Sequence, residues 1–177
     1  MALSTVVTTL IILVVSVLLA GVVSYFAINV TSTRVQEESL QLSSQHIWVN
    51  SAGEVQGAIM ITNTGGRDVV ISKIAVRGQS SAWAEVFYLN AAKNDTGLTG
   101  DLPHIATAQL KANGTVAGFA AGLTAATGNL VLPSGSTMII YISSPDSVTI
   151  NDIGLTVGFT VFTSQAMYYK ETNVNAA

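Results

Sequence analysis

From Ala2 to Val30 the chain is almost continuously apolar, and then the pattern changes twice. Its interruptions are small or uncharged: Ser4, Thr5, Thr8, Thr9, Ser16, Ser24 and Asn29. A helix over this stretch is roughly 40 Å long, more than the ~20 residues that cross the hydrocarbon of a bilayer. Val35, Leu40, Leu42 and Ile47 continue among Arg34, Gln36, Glu37, Glu38 and Gln41, with no Pro or Gly between Val22 and Ala52. The helix is therefore expected to run on to about Ser44 as an amphipathic stalk, giving a helical unit over 1–45 and a second unit over 46–177.

From His46 onward, period-two runs punctuated by turn residues predict short strands. Glu54–Asn63 and Asp68–Arg77, joined through Thr64-Gly65-Gly66, read as a tight hairpin. Further strands are expected over 85–89, 129–132, 137–143, 153–163 and 167–171. Val70, Ile74 and Val76 share one face of their strand, while Leu155, Val157 and Phe159 fall on one face of another. These two faces are expected to meet in a core. Regular spacing with Gly, Ser, Asn and Pro turns favours a β-sandwich, so the class is α+β. Lys93 to Leu130, rich in Ala, Gly, Thr and Asn, reads as long loops with one or two weak strands.

Composition sharpens this division. The 7 Lys and Arg and 10 Asp and Glu all lie at or beyond Arg34, and charged residues make up 10% of the chain against about 25% in ordinary soluble domains. Such a surface needs screening by glycan, by membrane or by further copies of the chain. A net charge of −3 leaves no basic patch for a nucleic acid. Without cysteine there are no disulfides, thiolate metal sites or cysteine nucleophiles. His46 and His104 stand far apart without a second ligand at metal-binding spacing, and read as structural or surface histidines. Asp95 and Asp101 bracket a stretch lacking the alternating oxygen ligands of a calcium loop. No nucleophile elbow, phosphate loop or dinucleotide fingerprint occurs, so neither an enzyme nor a cofactor is expected.

Two kinds of site remain. Ser16, Ala20 and Ser24 recur at i, i+4 with Gly21 beside them, a ridge of small residues that lets helix backbones approach closely; a lipid-facing anchor is the simpler alternative. Asn29-Val30-Thr31, Asn94-Asp95-Thr96 and Asn113-Gly114-Thr115 are acceptor sequences for N-glycosylation, and Asn94 and Asn113 lie in the polar loop region.

The apolar start Leu3-Ser4-Thr5-Val6-Val7-Thr8-Thr9-Leu10-Ile11-Ile12-Leu13, the stalk and the cysteine-free β-region together resemble the archaeal type IV pilins and archaellins. So, more loosely, does the stretch from Ile59 to Val69. The resemblance implies an immunoglobulin-like β-sandwich and a basic leader removed by a prepilin peptidase. It also implies membrane storage before assembly by dedicated pilus machinery, and a homopolymeric extracellular filament. Bacterial-type pilins carry a glutamate at the fifth mature position. Here Thr5 occupies it, and docking through that carboxylate does not carry over. Adhesion is the expected task, with a motility filament or a single-span surface receptor as alternatives.

Overall fold

A computed structural model describes residues 2–35 and 37–177, which form two compact units, Met1–Glu37 and Glu38–Ala177. The first holds one helix, α1 (Ala2–Val35). Val, Ile and Thr lower its intrinsic propensity, but a helix satisfies every backbone group within the segment, which an apolar surrounding demands. The hydroxyls follow suit. Thr8, Ser16 and Thr33 donate to carbonyls four residues back (2.9, 2.7 and 2.9 Å) and Thr9 to one three back (2.9 Å).

The second unit is mostly β: β1 (Leu40–Val49), β2 (Val55–Asn63), β3 (Val69–Val76), β4 (Gln79–Ser80), β5 (Val86–Ala91), β6 (Thr124–Ala125), β7 (Leu130–Leu132), β8 (Thr137–Ser143), β9 (Thr156–Thr163) and β10 (Met167–Ala176), with a five-residue helix α2 (Thr107–Lys111). Hydrogen bonding connects the strands in the order β4-β3-β9-β10-β1-β2-β8-β5-β6, with β7 also on β3. β10 joins the two halves of this path. Its residues 167–173 pair antiparallel with β9, and its last three, Val174–Ala176, pair parallel with Ile47–Val49. Inward side chains from both halves, among them Ile59, Ile61, Ile140, Ile74, Val76, Val157 and Phe159, make one buried cluster.

Three sequence expectations are corrected. The helix does not reach Ser44: it ends at Val35, and Leu40–Val49 is a strand. Leu40 and Leu42 alternate on one parity and Ile47 and Val49 on the other, because a register shift between Ser43 and His46, with Ser44 at φ 48°, changes the phase. This bulge lets Leu40, Ile47 and Val49 all be buried, with Leu42 packed against the same core.

The expected hairpin is the second correction, since β2 pairs with β1 and β8, whereas β3 pairs with β4, β7 and β9. Thr64-Gly65-Gly66 begins a crossover, held by the buried Asn63, whose Nδ2 donates to the Arg67 and Leu132 carbonyls (2.8 and 3.1 Å) and whose Oδ1 accepts from the Gly65 amide (3.0 Å). The Ser39 carbonyl takes the Thr64 and Gly65 amides. The bonds to Leu132 on β7 and to Ser39 just before β1 tie the turn to distant parts of the chain, so β3 does not fold back on β2.

The third concerns the core faces. Ile74, Val76, Val157 and Phe159 are in the common core, but Val70 is half-buried and its neighbours Val69 and Ile71 take its place. A register shift between Ile71 and Lys73 accounts for this. Leu155 precedes β9 and is 48% exposed. The region 93–130 is also more ordered than loops. It supplies Leu102, Ile105, Leu110, Val116, Phe119 and Leu123 to a second buried cluster on the other face of β2, β5 and β8. Strands buried on both faces need no alternation, hence the unbroken apolar run Met138–Ile142.

Asp152 gives the β-unit a pH response. Its carboxylate accepts the Thr149 amide (2.8 Å), the Thr149 hydroxyl (3.0 Å) and Arg77 Nη1 (2.9 Å). The Thr149 backbone bond first, then Arg77, hold its pKa below the ordinary carboxylate value. A depressed folded pKa contributes stability that is present above the unfolded value, about 3.9, and is lost as pH falls through the folded one. Thermal midpoints of the parent should therefore fall on acidification below that range, and Asp152→Asn should flatten this decline; an unchanged slope would remove Asp152 from the acid response.

Candidate assembly surface

Within α1, Leu3–Thr33 is a 31-residue segment long and apolar enough to cross a bilayer. All its side chains are exposed, including the large ones such as Leu10, Leu18 and Phe26. A helix apolar on all sides is stable only with apolar material on all sides, so its solvent is lipid or other protein. Ser16, Ala20, Gly21 and Ser24 lie on α1 at their helical spacing, all exposed. Gly21 is informative because a Cβ built there meets no atom within 4 Å. Mid-helix glycine costs about 1 kcal/mol relative to alanine, and nothing near it in the chain requires the space it leaves.

The β-unit does not offer a long strand at either end of its path, which terminates in the two-residue strands β4 and β6. Short terminal strands discourage edge-to-edge addition. The helix is thus the surface with the most unsatisfied apolar area.

The three acceptor asparagines fall in different settings. Asn94 is exposed in a turn after β5. Its neighbour Asp95 ties that turn down by accepting the Ala92 and Ala120 amides (2.6 and 3.0 Å), and the Thr96 hydroxyl donates to the Gly118 carbonyl (3.3 Å). Asn113 is exposed at φ 55°, just beyond α2. Asn29 is helical and exposed, inside the apolar segment.

Sequence reasoning separated the two histidines, and the fold brings both to one tryptophan. His46 stacks on Trp48 with ring centroids 5.0 Å apart, and His104 meets Trp48 edge-on at 5.7 Å. His46 Nε2 lies 2.5 Å from Asp101 Oδ1. This contact begins a strap with alternate fastenings: the Tyr141 hydroxyl donates to the Pro103 carbonyl (2.9 Å), Gln56 exchanges two bonds with the backbone of Ile105 (2.6 and 2.9 Å), and the Thr107 hydroxyl reaches Glu54 (3.4 Å). Burial, and then the Asp101 charge, push the Tyr141 hydroxyl well above the ordinary tyrosine pKa. Among the described residues no group of three His, Asp or Glu is placed to hold a metal.

No protein-family model and no curated protein matches this chain.

Proposed function

We propose that this chain is the structural subunit of an extracellular filament of the archaeal type IV pilus kind, polymerising through α1 and serving adhesion. The observation that carries this reading is a 31-residue apolar helix exposed on every face, joined to a separate β-unit with its own core. In lipid such a helix stores the subunit; among copies of itself it becomes a filament core. Copies related head to tail propagate into an open helical assembly. The core shared by both halves of the strand path and the parallel pairing of β1 with β10 support an immunoglobulin-like reading of the β-unit. A motility filament uses the same architecture; loss of swimming rather than attachment on deletion selects it.

Negative-stain imaging of material sheared from cells tests the proposal: filaments containing this chain are expected, and a chain recovered only from membranes favours a single-span receptor. A chain beginning at Glu38, which keeps all of β1, is expected to stay monomeric in sedimentation. Filaments formed by that shortened chain would remove the helix from the mechanism.

Glycan on Asn94 and Asn113 is part of the proposal, supported by their exposure and by the sparse charge. Glycopeptide mapping of native filaments should find both peptides in heavy form. Two unmodified peptides would exclude glycan as the screen, and modification at Asn29 would show that its helix end emerges from apolar surroundings.

A further inference from the structure

The geometry points to Asn113-Gly114 as a built-in site of spontaneous deamidation, gated by the end of α2. Of the chain's asparagines, only Asn113 is followed by glycine. The turn itself imposes the pair. After the helix cap at Ala112, the Asn113 amide donates to the Leu110 carbonyl (3.3 Å) and the Gly114 amide to the Gln109 carbonyl (2.8 Å), the two bonds of a Schellman ending. That ending needs a left-handed residue at 113, which asparagine tolerates, and it has φ 55°. At 114 a Cβ would sit 2.7 Å from the Gln109 carbonyl oxygen, so the backbone admits only glycine. Two separate conformational demands have produced the dipeptide in which the following amide nitrogen is least hindered from attacking the asparagine side chain.

In the reaction, the Gly114 nitrogen gives its proton to solvent base and attacks Cγ of Asn113. The new N–Cγ bond replaces the Cγ–Nδ2 bond, and ammonia leaves carrying a solvent proton. Water then adds to either carbonyl of the five-membered imide and reopens it as aspartate or isoaspartate, with no change of oxidation state. The structure also supplies the brake. The Gly114 N–H is held by Gln109, so attack waits until the last turn of α2 opens, and a five-residue helix is stable only through its packing, here the buried Leu110.

The product carries a carboxylate where the amide was, adding one negative charge to a net charge of −3. Isoaspartate also lengthens the backbone beside the Leu123 amide to Gly114 carbonyl bond (3.0 Å) and the Thr115–Gly122 bridge. Deamidation further destroys the nitrogen a glycan needs, so the two fates of Asn113 exclude each other. That last consequence rests on the glycan reading; the deamidation does not.

The test uses the full chain, made without glycosylation and kept folded in detergent at mildly alkaline pH, with peptide masses followed over time. Asn113 should convert first, ahead of exposed Asn94, and hydroxylamine should cleave between 113 and 114 by trapping the imide. Leu110→Ala, which loosens α2, should speed the conversion roughly tenfold by populating the open turn. Equal rates at Asn113 and Asn94 in the folded parent would overturn the site, and equal Asn113 rates in parent and Leu110→Ala would overturn the gate. Neither outcome depends on filaments forming.

Discussion

Ala20→Trp should abolish filaments while leaving membrane insertion and the folded β-unit intact. Ala20 is exposed on α1, beside Gly21, where there is open space even for an added Cβ. A bulky side chain there has no reason to disturb the helix itself, and lipid tails rearrange around any apolar group. Packed helices cannot do so. Overpacking costs about 1–3 kcal/mol per site, and in a filament each subunit meets it against several neighbours at once. Counting filaments by electron microscopy, with membrane fractionation and protease resistance of the β-unit as controls, separates the two cases. Normal filaments from Ala20→Trp would leave α1 as an anchor only.

Phe159→Ala is expected to cost about 3–5 kcal/mol, the usual range for emptying a buried phenylalanine site. Phe159 is fully buried, and its ring takes the space that Gly57 on β2 leaves open: a Cβ there would lie 2.9 Å from the ring. β9 and β2 belong to different halves of the strand path, so this one side chain bridges the core between them. Collapse cannot easily refill the gap, since Gly57, directly against the ring, has no side chain to swing in. Chemical unfolding followed by the fluorescence of Trp48 and Trp83, both in the β-unit, should show a lower midpoint with an unchanged slope. A loss below about 1.5 kcal/mol would mean the site repacks, and the bridge is less rigid than its geometry indicates.

The apolar helix was legible because its signal is cumulative: some thirty residues without a charge admit one reading. Strands β2, β3, β5, β7, β8 and β9 were found near their observed positions for the same reason, each a short β-rich run between turn residues. β1 was lost to a bulge. A phase change between Ser43 and His46 puts Leu40 and Ile47 at a spacing that matches neither a regular strand nor its absence, and the preceding helix claimed it. A similar shift in β3 exchanged Val70 for Val69 and Ile71. The false hairpin had another cause, since Gly-Gly reports a turn but not where the chain goes after it; Asn63 and Ser39 decide that through long-range bonds. Of the candidate sites, the small-residue ridge and the acceptor sequences are local and could be read directly. The meeting of His46, Trp48 and His104 depends on the 93–130 region folding over the sheet, and nothing within ten residues of either histidine announces it.

The strap over the second cluster is gripped largely by its backbone. Tyr141 holds the carbonyl of Pro103, and Gln56 holds both the amide and the carbonyl of Ile105. The exposed side chains nearby, such as Ala106 and Ala108, are bystanders to those bonds. Their identities can change while the clasp persists. Substitution at those positions can thus re-dress this face of the molecule without breaking a bond of the clasp or altering a single residue of the apolar helix.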